Sequence, residues 1–232
     1  MDALAQVAPV AQPLLNDVDN ALATLGAPPA HPVWRHLRSL QATPAQTVRG
    51  FVDMDPHHLR AAAATLREQA QSYTQASIPG AGPWDGAAAE HYAVTAATVR
   101  DHLASDRADS MVGRLRALAS AVADLADWQQ SSRDALAGAL AGALMSRQAM
   151  TVRSHPAVGS SLGAATGRPA TDGLAEAVLA AADIGAALLS VAQDAVAAAQ
   201  RLVAPLEALD ELRYAPPAFT DPIGYGSTIR LY

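Results

Sequence analysis

Apolar residues recur along most of this chain at alternating steps of four and three, the spacing that gathers them on one side of a helix. Leu14, Val18, Leu22 and Leu25 form the first such face, behind Pro13 at a first-turn position and ahead of Gly26 and Pro28-Pro29. Trp34, Leu37 and Leu40 mark a second short helix. Thr43-Pro44-Ala45-Gln46 predicts a capping-box start for a third, running to about Arg49. Asp55-Pro56 opens a longer helix to about Ala76, whose seam is Leu59, Ala63, Leu66, Ala70 and Tyr73. Residues 78–83, with two prolines and two glycines, break it. The period resumes from Ala87 through Tyr92, Ala96, Val99 and Leu103. Two helices joined by a short loop normally pack antiparallel, so these two seams are expected to face each other.

A further helical stretch is predicted from about Asp109 to Ala149, weakened at its far end by Gly138 and Gly142. Residues 154–173 are rich in glycine, serine and threonine without an apolar period, and read as a connection. The last helix holds the rhythm through Val178, Ala182, Gly185, Leu189, Ala192, Val196, Ala199 and Val203, and Pro205 is expected to kink or end it. The predicted fold is all-α, an elongated helical bundle built on an antiparallel helical hairpin with added N- and C-terminal helices. Its parts are short N-terminal helices over 1–51, the hairpin and third long helix over 52–153, a loop over 154–171, a long C-terminal helix over 172–213 and an irregular tail over 214–232.

Composition sharpens this picture. Half of the 232 residues are apolar but only 4% are aromatic, so alanine, leucine and valine carry the hydrophobic mass. Each buried alanine removes little surface from water, so stability has to come from long interfaces. All 16 basic residues are arginine, the net charge is -6, and no arginine run forms a stripe, which argues against nucleic-acid binding. Without cysteine there is no disulfide, thiolate metal site or cysteine nucleophile. An acid at Asp2, with Pro9 and Pro13 in the first apolar stretch, is unlike a Sec-type signal. Leu174 to Leu206 is the most apolar segment, but Glu176, Asp183, Asp194 and Arg201 favour a buried bundle helix over a membrane span.

The segment from Val52 to Arg153 resembles the WXG-type family of type VII (ESX) secretion substrates. Trp84-Asp85-Gly86 falls after a proline/glycine loop and before a resumed helix, and Asp55-Pro56-His57-His58-Leu59 is similar to a family helix start. The added length is similar to the larger PE/PPE-type and EspB-like bundles, or to a targeting module separated from a toxin. The resemblance implies a non-enzymatic protein that pairs with itself or with a second WXG-type helical protein, with Trp84 and Gly86 as the interaction and export motif and membrane contact only through the secretion machinery. The family's second signal, a tyrosine followed four residues later by an acid, is absent. Tyr73, Tyr92, Tyr214 and Tyr225 are followed there by Ser77, Ala96, Ala218 and Ile229. The resemblance therefore implies either export by the type VII route with a partner that supplies the signal, or residence in the cytoplasm.

Other candidate chemistry has simpler explanations. Gly159-Ser160-Ser161-Leu162-Gly163 fits a hydrolase nucleophile pattern, but no strand is predicted before it, and chance composition in a glycine/alanine loop is the better account of Ser161. His57, His58, His91 and His102 are read as polar surface rather than metal ligands. Asp53 and Asp55 are explained by capping. Trp34 and Trp128 are expected to fill gaps between alanine-rich helices, and Gly138 and Gly142 to pack closely against the last helix. No catalytic residue, cofactor or metal is expected. A carrier of a hydrophobic small molecule, held between alanine-rich helices, is the alternative from a different class.

Overall fold

The computed structural model describes residues 2–76, 78–80, 82–83, 85–155 and 172–210. Among these residues there are eight helices and no strand, so the protein is all-α. Of the predicted connection, Ser154 ends a helix and residues 172–173 begin another, while residues 156–171, including Ser161, and the tail from Tyr214 onward lie outside the described residues.

Helix α1 spans Ala3–Thr24, and Asp2 caps it by accepting hydrogen bonds from the Leu4 and Ala5 amides at 3.1 and 3.3 Å. The expected start at Pro13 is corrected: Pro9 and Pro13 both lie inside the helix. Each proline removes one backbone hydrogen bond. Both rings sit on the exposed side, where water can reach a carbonyl that loses its partner. Leu4, Ala8, Ala11, Leu14, Leu15, Val18, Ala21 and Leu22 are buried on the opposite side, and that burial holds the helix together through the prolines.

Helix α2 spans Val33–Leu40, and α3 spans Pro44–Val52 behind the expected capping box of Thr43 and Gln46. Asp19 of α1 reinforces that cap. It accepts from the Thr43 hydroxyl and, at 3.4 Å, from the Ala45 amide. Burial raises the Asp19 pKa above the ordinary aspartate value, and these two hydrogen bonds oppose the rise. Helix α4 spans Pro56–Gln75, with Asp55 accepting from the His57 amide at 2.9 Å. Helix α5 spans Ala87–Ala104.

The stretch expected to be continuous from Asp109 to Ala149 is two helices, α6 over Met111–Leu144 and α7 over Arg147–Ser154. Ser146 makes the break. Its hydroxyl accepts from the Ala149 amide at 3.1 Å and donates to the Ala143 carbonyl at 2.7 Å, capping one helix while closing the other. Helix α8 spans Asp172–Asp210 and continues through Pro205. By length and composition α8 could cross a bilayer, but Ala177, Ala181, Ile184, Leu188, Leu189 and Ala192 on its inner face are buried in the protein core.

The packing divides at the middle of α6. Its second half joins α1, α2, α3, α7 and α8 around one core rich in leucine and valine, in which Leu4, Leu14, Leu15, Leu136, Leu140, Leu188 and Leu189 are fully buried. Its first half carries α4, and this interface is built from alanine. Val112, Ala119, Ala126, Arg133 and Leu140 lie seven residues apart on α6 and are all buried; Pro56, Ala63 and Ala70 do the same on α4. A seven-residue repeat keeps one seam facing a partner along the whole helix. The pair is antiparallel, because Arg60 meets Asp127 at 3.4 Å while Arg67 and Gln75 share a cleft with Arg116 and Ser120.

Of the seam expected on α4, Ala63 and Ala70 are buried while Tyr73 is exposed, and α6 covers the seam rather than α5, which touches α4 only sparsely. The expected role of Gly138 and Gly142 is likewise corrected. Both are exposed, and a methyl group added at either would meet nothing within 4 Å. They are therefore helical glycines without a packing reason. Gly138→Ala and Gly142→Ala should each stabilise the protein by about 0.8–1 kcal/mol, raising Tm by roughly 2–4 °C per substitution. Thermal denaturation showing a fall for either would refute this account.

Candidate interaction site

The bend between α4 and α5 contains the only residues that sequence analysis singled out as functional, Trp84 and Gly86. Trp84 lies outside the described residues. Gly86 is the N-cap of α5, with φ 90° and ψ -175°. That backbone region is essentially restricted to glycine, since a Cβ would clash with the residue's own backbone. A Cβ at Gly86 would otherwise meet open space, so the demand for glycine here is conformational and not one of packing.

Two hydrogen bonds place the connection. The Tyr92 hydroxyl donates to the Pro79 carbonyl at 2.9 Å, and the Arg100 guanidinium donates to the Ile78 carbonyl at 3.3 Å. Residues 78 and 79 thereby lie alongside α5, and the chain then turns into α5 at Gly86. This drawn-out route explains why α4 and α5 share few contacts although they are neighbours in sequence. On α5 itself Ala89 and Ala96, again seven residues apart, are buried, while Val94 is 67% exposed.

No family model matches the sequence, and neither a curated protein nor a solved structure does. The geometry of the bend and of the surrounding helices is therefore the basis for any functional reading.

The other candidates are placed as follows. His58 pairs with Asp55 at 3.2 Å on the surface, and Asp55 is the α4 cap. Asp53 closes the end of α3. Among the described residues no three histidine, aspartate or glutamate side chains converge as a metal site would require. Trp34 and Trp128 pack against the core from its edge, as expected. The Trp34 indole donates to the Pro28 carbonyl at 3.1 Å, and that of Trp128 to the Ala195 carbonyl at 2.8 Å, which ties α6 to α8.

Sequence reasoning missed Arg133. Its guanidinium is buried and donates to the carbonyls of Phe51, Val52 (2.8 Å) and Met54 (2.7 Å), while its other terminal nitrogen pairs with Asp2. Removal from water lowers its pKa from the ordinary arginine value, with Asp134 opposing the shift. One side chain of α6 thus fastens the start of α1, the end of α3 and the entry to α4. A signal was present in the chain: Arg133 occupies the seven-residue register of Ala119, Ala126 and Leu140, where every other member is apolar.

Proposed function

We propose that this protein is a non-enzymatic helical-bundle protein of the type VII (ESX) secretion type, acting through helix-face contacts with a second copy or a second hairpin protein. The observation that carries the reading is the backbone of Gly86. In the Trp-Asp-Gly sequence that opens α5, the glycine holds a conformation other residues avoid, so the motif has a physical reason to end in glycine. The alanine seams of α4 and α6 are buried against each other, which leaves the outer faces of the helices for contact with a partner. Apolar side chains remain on the outside: Tyr73 on α4, Val94 on α5, and Val196 and Val203, seven residues apart, on α8. The alternative of a hydrophobic carrier draws less support, because two clefts among the described residues each place charged side chains in their walls, Arg67 and Arg116 in one and Asp2, Asp53, Asp55 and Arg133 in the other.

Trp84→Ala and Gly86→Ala test the reading. The leucine-rich core lies away from the bend, so global stability should change by less than about 1 kcal/mol. Partner binding or export should fall about fivefold or more, about 1 kcal/mol, because alanine at position 86 moves the bend out of its glycine-only conformation and leaves the core intact. Binding is read by co-purification and cross-linking from the native host, and self-association by sedimentation. Parallel loss of stability and of binding would reduce the motif to a structural turn. A compact monomer at every concentration, with no co-purifying partner, would remove the proposal.

A further inference from the structure

The geometry points to the groove between the second half of α4 and the first half of α6 as a docking site for an acidic helical segment of a partner protein. This rests on the reading of the protein as a helix-contact module and specifies the chemistry of one contact. The groove, a cleft of about 620 Å³, is floored by the buried Ala70 and lined by Arg67, Gln71, Thr74 and Gln75 from α4 and by Arg116 and Ser120 from α6. Arg67, Gln71 and Gln75 follow one another at steps of four, so they form a ridge about 12 Å long at 1.5 Å per residue. Arg116 and Ser120 form the same step on the facing, antiparallel helix.

Every polar group lining the groove can donate a hydrogen bond, and two of them are guanidiniums, which only donate. No acidic side chain lines it. Arg67 makes no hydrogen bond or ion pair with any described residue. Arg116 has one partner, Asp106, whose side chain is 86% exposed and can be given up to water. The chain as a whole carries a net charge of -6, so the groove is opposite in sign to the overall charge, and that contrast favours an acidic partner here. The shape matches as well. A trough between two antiparallel helices accepts a third helix along its length, and carboxylates on one side of that helix would meet Arg67 and Arg116.

The test uses the full-length protein and a fluorescent helical peptide of glutamate and alanine, followed by anisotropy. The parent protein should bind it saturably. Arg67→Gln and Arg116→Gln should each weaken binding about tenfold, as expected for loss of one charge-assisted contact. Arg60→Gln, which alters an arginine outside the groove, should leave binding unchanged, and Asp106→Asn should strengthen it by freeing Arg116. Absence of saturable binding, or equal loss in the Arg60→Gln control, would overturn the assignment. So would inorganic phosphate or citrate binding as tightly as the peptide, which would make this a small-anion site, or tighter binding of a single-stranded oligonucleotide. If Arg67→Gln keeps native self-association or partner capture while the parent fails to bind the peptide, this inference falls and the proposed function stands.

Discussion

Arg133→Ala should destabilise the protein by about 3 kcal/mol, near the lower end of the range for breaking a buried charged contact. The variant removes the donor to three carbonyls and the partner of Asp2. The carbonyls of Phe51 and Val52 belong to the last turn of α3, where no backbone amide of that helix is left to satisfy them. Water can rehydrate Asp2, whose side chain is 36% exposed, and this keeps the loss from reaching the upper end of the range. At roughly 2–4 °C per kcal/mol for a chain of this size, Tm should fall by about 6–12 °C. Arg133→Met, which keeps most of the side-chain volume, separates packing from polar contacts. If methionine restores most of the stability, the guanidinium contributes bulk and the hydrogen-bonding account is wrong. An Asp2→Asn variant should lose less than Arg133→Ala, because it breaks only one of the contacts.

The second large effect is expected at Gly185 on α8, where a methyl group would come within 3.3 Å of Leu22 and 3.4 Å of both Val33 and Pro44. Four helices, α1, α2, α3 and α8, meet at this point. Gly185→Ala gains about 1 kcal/mol of helix propensity and meets a tight but tolerable contact, so its net effect should be close to zero. Gly185→Val adds two more methyl groups for which the surrounding side chains leave no room. It should cost about 2–3 kcal/mol, in the upper part of the usual range for overpacking. Chemical denaturation of the two variants side by side provides the measurement. A neutral valine would show that the junction is loose and that α8 is free to shift against the N-terminal helices. The contrast with Gly138 and Gly142 is instructive. All three are helical glycines at unremarkable dihedral angles, and only their surroundings decide whether a larger side chain stabilises or disrupts.

Polar contacts between elements far apart in sequence tell the same story. The His31 and Asp183 side chains meet at 3.1 Å, and His36 and Gln193 at 2.6 Å, each joining the α2 region to α8. None of these pairs was legible in the chain, because a polar residue on an amphipathic helix is read as solvent-facing until a partner is known. The capping residues were legible because their partners are local. Thr43 and Gln46 complete their box within four residues, and Asp55 reaches the amide two residues on. The proline rule failed at Pro9 and Pro13 for the complementary reason. Local chemistry disfavours proline inside a helix, but the burial of Leu4, Ala8 and Ala11 is a tertiary gain that outweighs it.

By itself the sequence determined that the chain is helical, where most helices begin, several members of each apolar face, and that Trp84-Asp85-Gly86 falls in the break between α4 and α5. These properties depend on the backbone and on neighbours within a turn or two, so they are written in local order. Tyr73, Val196 and Val203, expected on packing faces, are exposed. The tertiary structure decided that α6 covers the seam of α4, that Arg133 is a buried fastener, and that Gly185 is a crossing point while Gly138 and Gly142 are bare. A period of four and three specifies that a face must be covered but carries no information about what covers it. That choice is made by the competition among all the faces for one another in three dimensions.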